Sequence, residues 1–304
     1  MTAPIALFVY NRPEHAAATI DALRRNPLST DSDLVIFSDG PRTPADEEAV
    51  RTTRSVIADV PGFRSVRVVQ RERNLGLAGS ITSGVSEILQ DHDRVIVLED
   101  DMITSPQFLE YMNAGLERFA GDPKAGSIHA YMYPIEGLPE FFFVRGGDCW
   151  GWATWRDRWS LFEPDGRVLL RRLKESGLLA EFNRTGGSEL VTMLVDQIRG
   201  KNASWFVRWH ASLFLAGKLT LQPGHSFVRN TGADGSGIHV PTTDLFDVVP
   251  RATFTGLPSL RVEEDREAAE RMARFYDRVL DRPWPVRALR YIANQIRLRI
   301  ALHG

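Results

Sequence analysis

Three carboxylates, Glu99, Asp100 and Asp101, stand side by side directly after four apolar residues in the segment RVIVLEDDMITSP. Adjacent like charges at the end of an apolar strand disfavour one another's ionisation unless a cation lies among them. Mg²⁺ and Mn²⁺ take oxygen ligands, commonly one or two carboxylates, and leave part of the shell to phosphate oxygens. The trio therefore suits a divalent metal that carries a nucleotide diphosphate. A strand that simply ends in solvated acids satisfies the same pattern.

Other polar groups fall at comparable places. Tyr10, Asn11 and Arg12 follow the apolar run that begins at Ile5, Asp39 ends DLVIFSD, and Arg73 and Asn74 end SVRVVQRERN. Asp39 precedes glycine, a turn signal in its own right. Gly76 lets backbone approach a ligand closely, although GLAGS has neither the Walker nor the GxGxxG spacing, and a helix-capping turn fits it as well. Further on, GGDCWGWATWRDRW holds Asp148 and four tryptophans. Indole faces stack on sugar C–H faces, and this reading suits Asp148, Trp150 and Trp152 in the glycine-rich lead-in. Trp152, Trp155 and Trp159 also have the spacing of one helical face, which is a core pattern. The segment SFVRNTGADGSGIH ends at His239; its glycines allow it to fold over a diphosphate, and a lone loop histidine is also an ordinary surface residue.

The elements that position these residues alternate. Strands are expected at Ile5 to Tyr10, in DLVIFSDG, in SVRVVQRERN and in DRVIVLEDD; helices are expected in EHAAATIDALRR, PADEEAVRTTRSVIADV and LAGSITSGVSEILQ. Short connections between them predict an α/β fold with a mostly parallel sheet covered on both faces. Ligands of such sheets bind at the carboxyl ends of the strands, so all four polar sets should share one rim. Beyond Pro106 the pattern loosens into short helices, with a helical stretch around 188 to 216.

VIVLEDD, following FSDGPR and RNLGLAGS, resembles the nucleotide-sugar-dependent glycosyltransferases of the GT-A fold, especially the group around family 2 and the N-acetylglucosaminyltransferase I type, over most of residues 3 to 240. The resemblance implies that Asp101 is the direct metal ligand, that Asp100 faces the ribose or a metal-bound water, and that Glu99 sits near the donor sugar. Tyr10, Asn11 and Arg12 would form the first nucleotide-contacting loop, Asp39 would accept from the uracil or ribose, Arg73 and Asn74 would contact the nucleotide, and His239 would complete the shell of Mn²⁺ or Mg²⁺. WGWATWRDRW resembles the segment that closes the donor side of the pocket in bacterial sugar transferases of this group. The reaction implied is transfer from a UDP-type donor to a hydroxyl of a glycan or lipid-linked acceptor, with inversion. Inversion needs a general base at the acceptor hydroxyl; Asp196 is the best match and Glu189 the second, and each also reads as an exposed helix carboxylate. Trp205, Arg208, Trp209 and His210 are expected to shape the acceptor pocket.

Composition narrows the rest. With 37 Lys+Arg against 39 Asp+Glu, nothing global points to nucleic acid as a partner. The lone Cys149 excludes an internal disulfide framework and a cysteine-rich zinc site, and fits a reducing, cytoplasmic setting. No apolar run approaches the length of a membrane span or of a signal-peptide core. A transferase domain is expected over 1–260, with a nucleotide-sugar half (1–120) and an acceptor half (121–260), followed by a helical extension over 261–304. In that extension RPWPVRALRYIANQIRLRIALHG carries five arginines and no acid. A basic amphipathic helix of this kind can lie on anionic lipid at the inner face of a membrane, and can equally dock on the domain or on a second subunit. Two rivals remain: a catalytically silent carbohydrate-binding or scaffold protein, and a sugar-nucleotide nucleotidyltransferase, whose glycine-rich loop after the first strand is replaced here by YNRPEH.

Overall fold

Three of the apolar runs become strands buried on both faces, as parallel strands between two helical layers must be, and the third in chain order becomes a half-exposed edge strand. The computed structural model describes residues 2–185, 189–235 and 245–279. Its first part alternates β1 (Ile5–Val9), α1 (Pro13–Arg24), β2 (Asp33–Ser38), α2 (Glu47–Val56), β3 (Ser65–Gln70), α3 (Gly76–Asp91) and β4 (Arg94–Glu99). There follow β5 (Met102–Thr104), α4 (Phe108–Arg118), β6 (Ala125–His129), β7 (Phe141–Arg145), β8 (Trp152–Trp155) and α5 (Arg156–Trp159). The chain continues through α6 (Gly166–Glu175), α7 (Leu179–Arg184), α8 (Leu190–Ile198), α9 (Phe206–Leu215), β9 (Leu219–Pro223), β10 (Val228–Asn230) and α10 (Arg266–Val279).

Eight strands form one mixed, mostly parallel sheet in the order β3-β2-β1-β4-β8-β6-β9-β7. The pairs β1–β2, β2–β3, β1–β4 and β6–β9 are parallel, while β8 runs antiparallel to both β4 and β6, and β7 to β9. Alternate strand residues feed two cores. Ile5, Leu7, Ile36 and Leu98 pack with α1 and α4 on one face; Ala6, Phe8, Phe37 and Val97 pack with α3, α5 and α9 on the other. Helices α6 to α9 enclose a third core of their own. A short antiparallel ribbon pairs β5 with β10, placing Asn230 opposite Met102.

Two expectations change. Trp152 and Trp155 lie on a strand, not on a helix, so the three-residue step sends them to opposite faces of the sheet. The register of β8 against β4, with Trp152 opposite Val97, overrides the helical spacing. The stretch 188 to 216 is two helices, broken near Gly200, whose φ of 70° suits glycine.

Near the C-terminal side, Asp265 N–H donates to Phe143 O at 2.8 Å, and α10 lays Ala268 and Met272 on Met132 and Phe142. The arginine-rich stretch expected as a basic helix lies outside the described residues. No helix among the described residues is long and apolar enough to cross a membrane.

Candidate active site

β1 and β4 are adjacent and parallel, so the residues after them meet at one rim. Arg12 Nη2 donates to the Asp100 carboxylate and, at 2.9 Å, to Asp101 Oδ2. Thr19 Oγ1 donates to the Asp100 carbonyl at 2.6 Å. Asp100 and Asp101 are buried, and Glu99 is half-buried at the end of the strand. Burial pushes the Asp100 carboxyl up to about 6; Arg12 pulls against that shift and Asp101 adds to it. Burial, then the charges of Asp101 and Asp100, raise the Glu99 carboxyl well above its ordinary value. Burial opposes the charge on Arg12, but the two aspartates overcome it and raise the guanidinium pKa. The expected cation among the acids is, in this structure, a guanidinium.

The segment after β10 closes on the same acids. Thr231 N–H and Oγ1 donate to the Asp101 carbonyl at 2.9 and 3.1 Å, and Gly232 N–H donates to Asn230 Oδ1 at 2.7 Å. A Cβ on Gly232 would stand 2.3 Å from Asp101 Oδ2, so only glycine fits beside this carboxylate. His15 Nε2 lies 3.2 Å from Asp234 Oδ2, tying α1 to the same segment. His239 falls outside the described residues. Among the described residues no three His, Cys, Asp or Glu side chains form a metal cage. Asp101 Oδ1 is nevertheless buried without a partner. A site with an oxygen to spare and few protein ligands fits a hard cation that keeps most of its shell for water or phosphate.

The neighbouring rim loops are tied to one another. Asp39, expected at the nucleotide, is taken up by backbone: its carboxylate accepts from Gly40, Leu75 and Gly76 N–H at 2.9 to 3.2 Å, capping α3 from the end of β2. Asn74 Nδ2 donates to Gly40 O at 2.8 Å, and a Cβ on Gly40 would meet Arg73 backbone at 2.6 Å. Arg73 itself is exposed. Tyr10 OH accepts from Arg42 N–H at 3.0 Å, and Asn11 Nδ2 donates to Asp46 Oδ1 at 3.2 Å, bracing the loop before α2.

The glycine-rich lead-in to β8 reaches the rim from the other side. Asp148 Oδ1 accepts from Cys149 N–H at 2.9 Å, and Oδ2 lies 3.4 Å from His129 Nδ1, which is 2.8 Å from Gln222 Oε1. Burial, then the charges of Asp148, Glu99 and Asp101, push the Cys149 thiol well up, so this lead-in lies within the field of the acids. Trp150 is half-buried among Tyr131, Tyr133 and Phe246. Trp152, expected at the sugar, is 1% exposed and offers no stacking face; it packs against Trp159, Trp205 and Trp209. Trp205, Trp209 and His210, expected at the acceptor, are core residues for the same reason. Arg208 is bound to the Ser204 and Pro164 carbonyls. Asp196 stands on α8, whose main packing partners are α6, α7 and α9, in the helical layer rather than on the acid rim.

Thr19, Asn230 and Thr231 escaped the sequence reading, because a helix threonine and a strand-end Asn-Thr pair carry no spacing signal of their own. Residues 5–146 match Glycosyl transferase family 2. No curated protein sequence matches the chain. Among solved structures, a mannosyltransferase from Pyrobaculum calidifontis, in complex with GDP-Man and Mn²⁺, is similar at 16% identity over 44% of this chain and 37% of that one, with a TM-score of 0.31. TarS of S. aureus is similar at 16% identity over 45% of this chain and 23% of its own, with a TM-score of 0.29. A UDP-glucose pyrophosphorylase complexed with UDP-glucose is similar at 12% identity over 53% of this chain and 79% of its own, with a TM-score of 0.31. The chain thus spans well under half the length of the first two.

Proposed function

We propose that this chain, whose residues 5–146 match Glycosyl transferase family 2, is an enzyme that moves a sugar from a UDP-type donor to a hydroxyl of a glycan or lipid-linked acceptor, with metal assistance and inversion. The observation that carries the reading is the charged cluster where β1 and β4 end: Arg12, Asp100 and Asp101 in contact, with Asp101 Oδ1 buried and unpartnered. Asp101, and Asp100 beside it, would hold Mn²⁺ or Mg²⁺. A metal held there neutralises the charge that develops on a departing diphosphate. Arg73, Tyr10 and Asn11 line the rim on the nucleotide side, and Glu99 faces the donor sugar. Asp39 supports the nucleotide loop through α3 rather than through the base.

For the acceptor side, the geometry favours Asp148 over Asp196. Asp148 adjoins Cys149, whose thiol feels Glu99 and Asp101 as well as Asp148, and its Oδ2 lies 3.4 Å from His129 Nδ1, whereas Asp196 belongs to the helical layer. The proton of the attacking hydroxyl would pass to Asp148, while the half-buried Trp150 borders the acceptor. A lipid-linked acceptor would account for a basic C-terminal extension at the inner face of a membrane.

The test is a thermal-shift panel of UDP-, GDP- and dTDP-sugars with and without Mn²⁺, followed by UDP release. Ligand that binds only the folded form raises its stability with affinity and concentration. Metal-dependent stabilisation by a UDP-sugar, with UDP release that disappears in Asp101→Ala, is the expected result. Glycan binding with no UDP release from any donor would instead identify a silent carbohydrate-binding protein.

A further inference from the structure

Arg12 occupies the position that the metal-dependent reading gives to a cation. Its Nη2 serves both Asp100 and Asp101, so one guanidinium offsets one of the two negative charges and leaves the pair short of a positive charge. Among the described residues two buried atoms of this cluster have no partner, and they call for opposite charges: Arg12 Nη1 is a donor without an acceptor, and Asp101 Oδ1 an acceptor without a donor. An arrangement that were final would pair them. The acids are fixed through their backbone, Asp100 by Thr19 and Asp101 by Thr231. Arg12 lies in the turn before α1, and among the described residues its guanidinium has no hydrogen-bonding partners other than the two carboxylates. The long side chain is therefore the member of the cluster that can move.

We propose that Arg12 is a resident counter-ion that a divalent cation displaces from Asp100 and Asp101, and that the freed guanidinium then grips the donor diphosphate. The inference rests on the metal-dependent reading above. Each group keeps a counter-charge in both states: the acids exchange a monovalent organic cation for a divalent metal that neutralises them more fully, and the guanidinium exchanges carboxylates for phosphate oxygens, which it binds with equally suitable geometry. Metal alone must break the ion pairs and leave Arg12 without an anion. Metal with a nucleoside diphosphate supplies that anion, so Arg12 couples the two binding events, and the coupling is reciprocal.

Calorimetric titration of the full chain with Mn²⁺ alone, with UDP alone and with Mn²⁺ in saturating UDP tests this in wild type, Arg12→Ala and Arg12→Gln. Wild type should bind Mn²⁺ weakly alone and much more tightly with UDP. Removing the internal competitor should tighten Mn²⁺ alone by about tenfold or more, while the gain on adding UDP shrinks. Unchanged or weaker binding of Mn²⁺ alone in folded variants overturns the proposal, even though tight binding of Mn²⁺ with UDP to wild type would leave the glycosyltransferase reading standing. If wild type binds no Mn²⁺ even with UDP, that reading fails and this one with it. Should both neutral variants fail to fold, Arg12→Lys decides: partial tightening of Mn²⁺ alone supports displacement, and none overturns it.

Discussion

At the scale of single residues, the acceptor-side base is the assignment most open to measurement. Asp148 and Asp196 are both carboxylates, but they stand in different surroundings, one in the lead-in to β8 beside Cys149 and one on α8 in the helical layer. A general base contributes about 10²- to 10⁴-fold to the rate, so Asp148→Asn should lower kcat by at least about a hundredfold with a modest change in donor KM, while Asp196→Asn stays within a few-fold of wild type. Steady-state kinetics on the two variants checks this, and the opposite ranking would return the role to α8. His129 is buried at the end of β6, with Nδ1 2.8 Å from Gln222 Oε1 and 3.4 Å from Asp148 Oδ2.

At the scale of elements, two close approaches can be tested, one at the acids and one in the core. The segment after β10 comes so near Asp101 that Gly232 has no room for a side chain. Gly232→Ala should push the Asp101 carboxylate aside; a misplacement of about 1 Å can cost about a hundredfold in kcat, and Tm should move little because the backbone there is not in the left-handed region. An unaltered kcat would mean that the segment does not set the position of Asp101. The second approach joins α9 to the turn after β7. His210 Nδ1 lies 2.7 Å from Gly147 O, and Nε2 lies 2.9 Å from Thr185 Oγ1. Burial lowers its pKa from the usual 6.5, against the opposing pull of the Gly147 carbonyl and of Asp148. A histidine held neutral in the fold stabilises it above the unfolded pKa. That contribution is lost as pH falls below about 6.5, with a slope of up to about 1.4 kcal/mol per pH unit until the folded pKa is reached. Urea titrations between pH 7.5 and about 5 should show the slope in wild type and a shallower one in His210→Gln.

At the scale of the molecule, the helix expected as the start of an appendage is packed into the sheet domain. Residues 264 and 265 meet Phe143 on β7, and α10 covers Met132 and Phe142. Ending the chain after residue 260 should uncover both side chains and cost on the order of 3 kcal/mol or more, read as a lower urea midpoint. Unchanged stability would mark 261 onward as a separable extension. The same scale explains what escaped the sequence. The rim was legible because strand periodicity and the carboxyl-end rule are local: Tyr10, Asp39, Asn74 and Asp101 each follow a strand. Their partners were not, since Arg12 finds Asp100 across 88 residues of chain and Asp39 finds Leu75 across 36. The tryptophans misled because a three-residue step reads as one helical face, whereas β8 is held extended by β4 and β6.

By itself, the sequence determined the alternation of strands and helices, the two-sided burial of the first sheet strands and the polar rim beyond them, because hydrophobic period and turn chemistry act within a few residues. Only the tertiary structure decided that Arg12 pairs with Asp100 and Asp101, that Asp39 caps α3, that Trp152 is core, and that Thr231 and Gly232 close on Asp101. Charge pairing and desolvation depend on distances set by strand order, and strand order brings together segments that no local pattern connects.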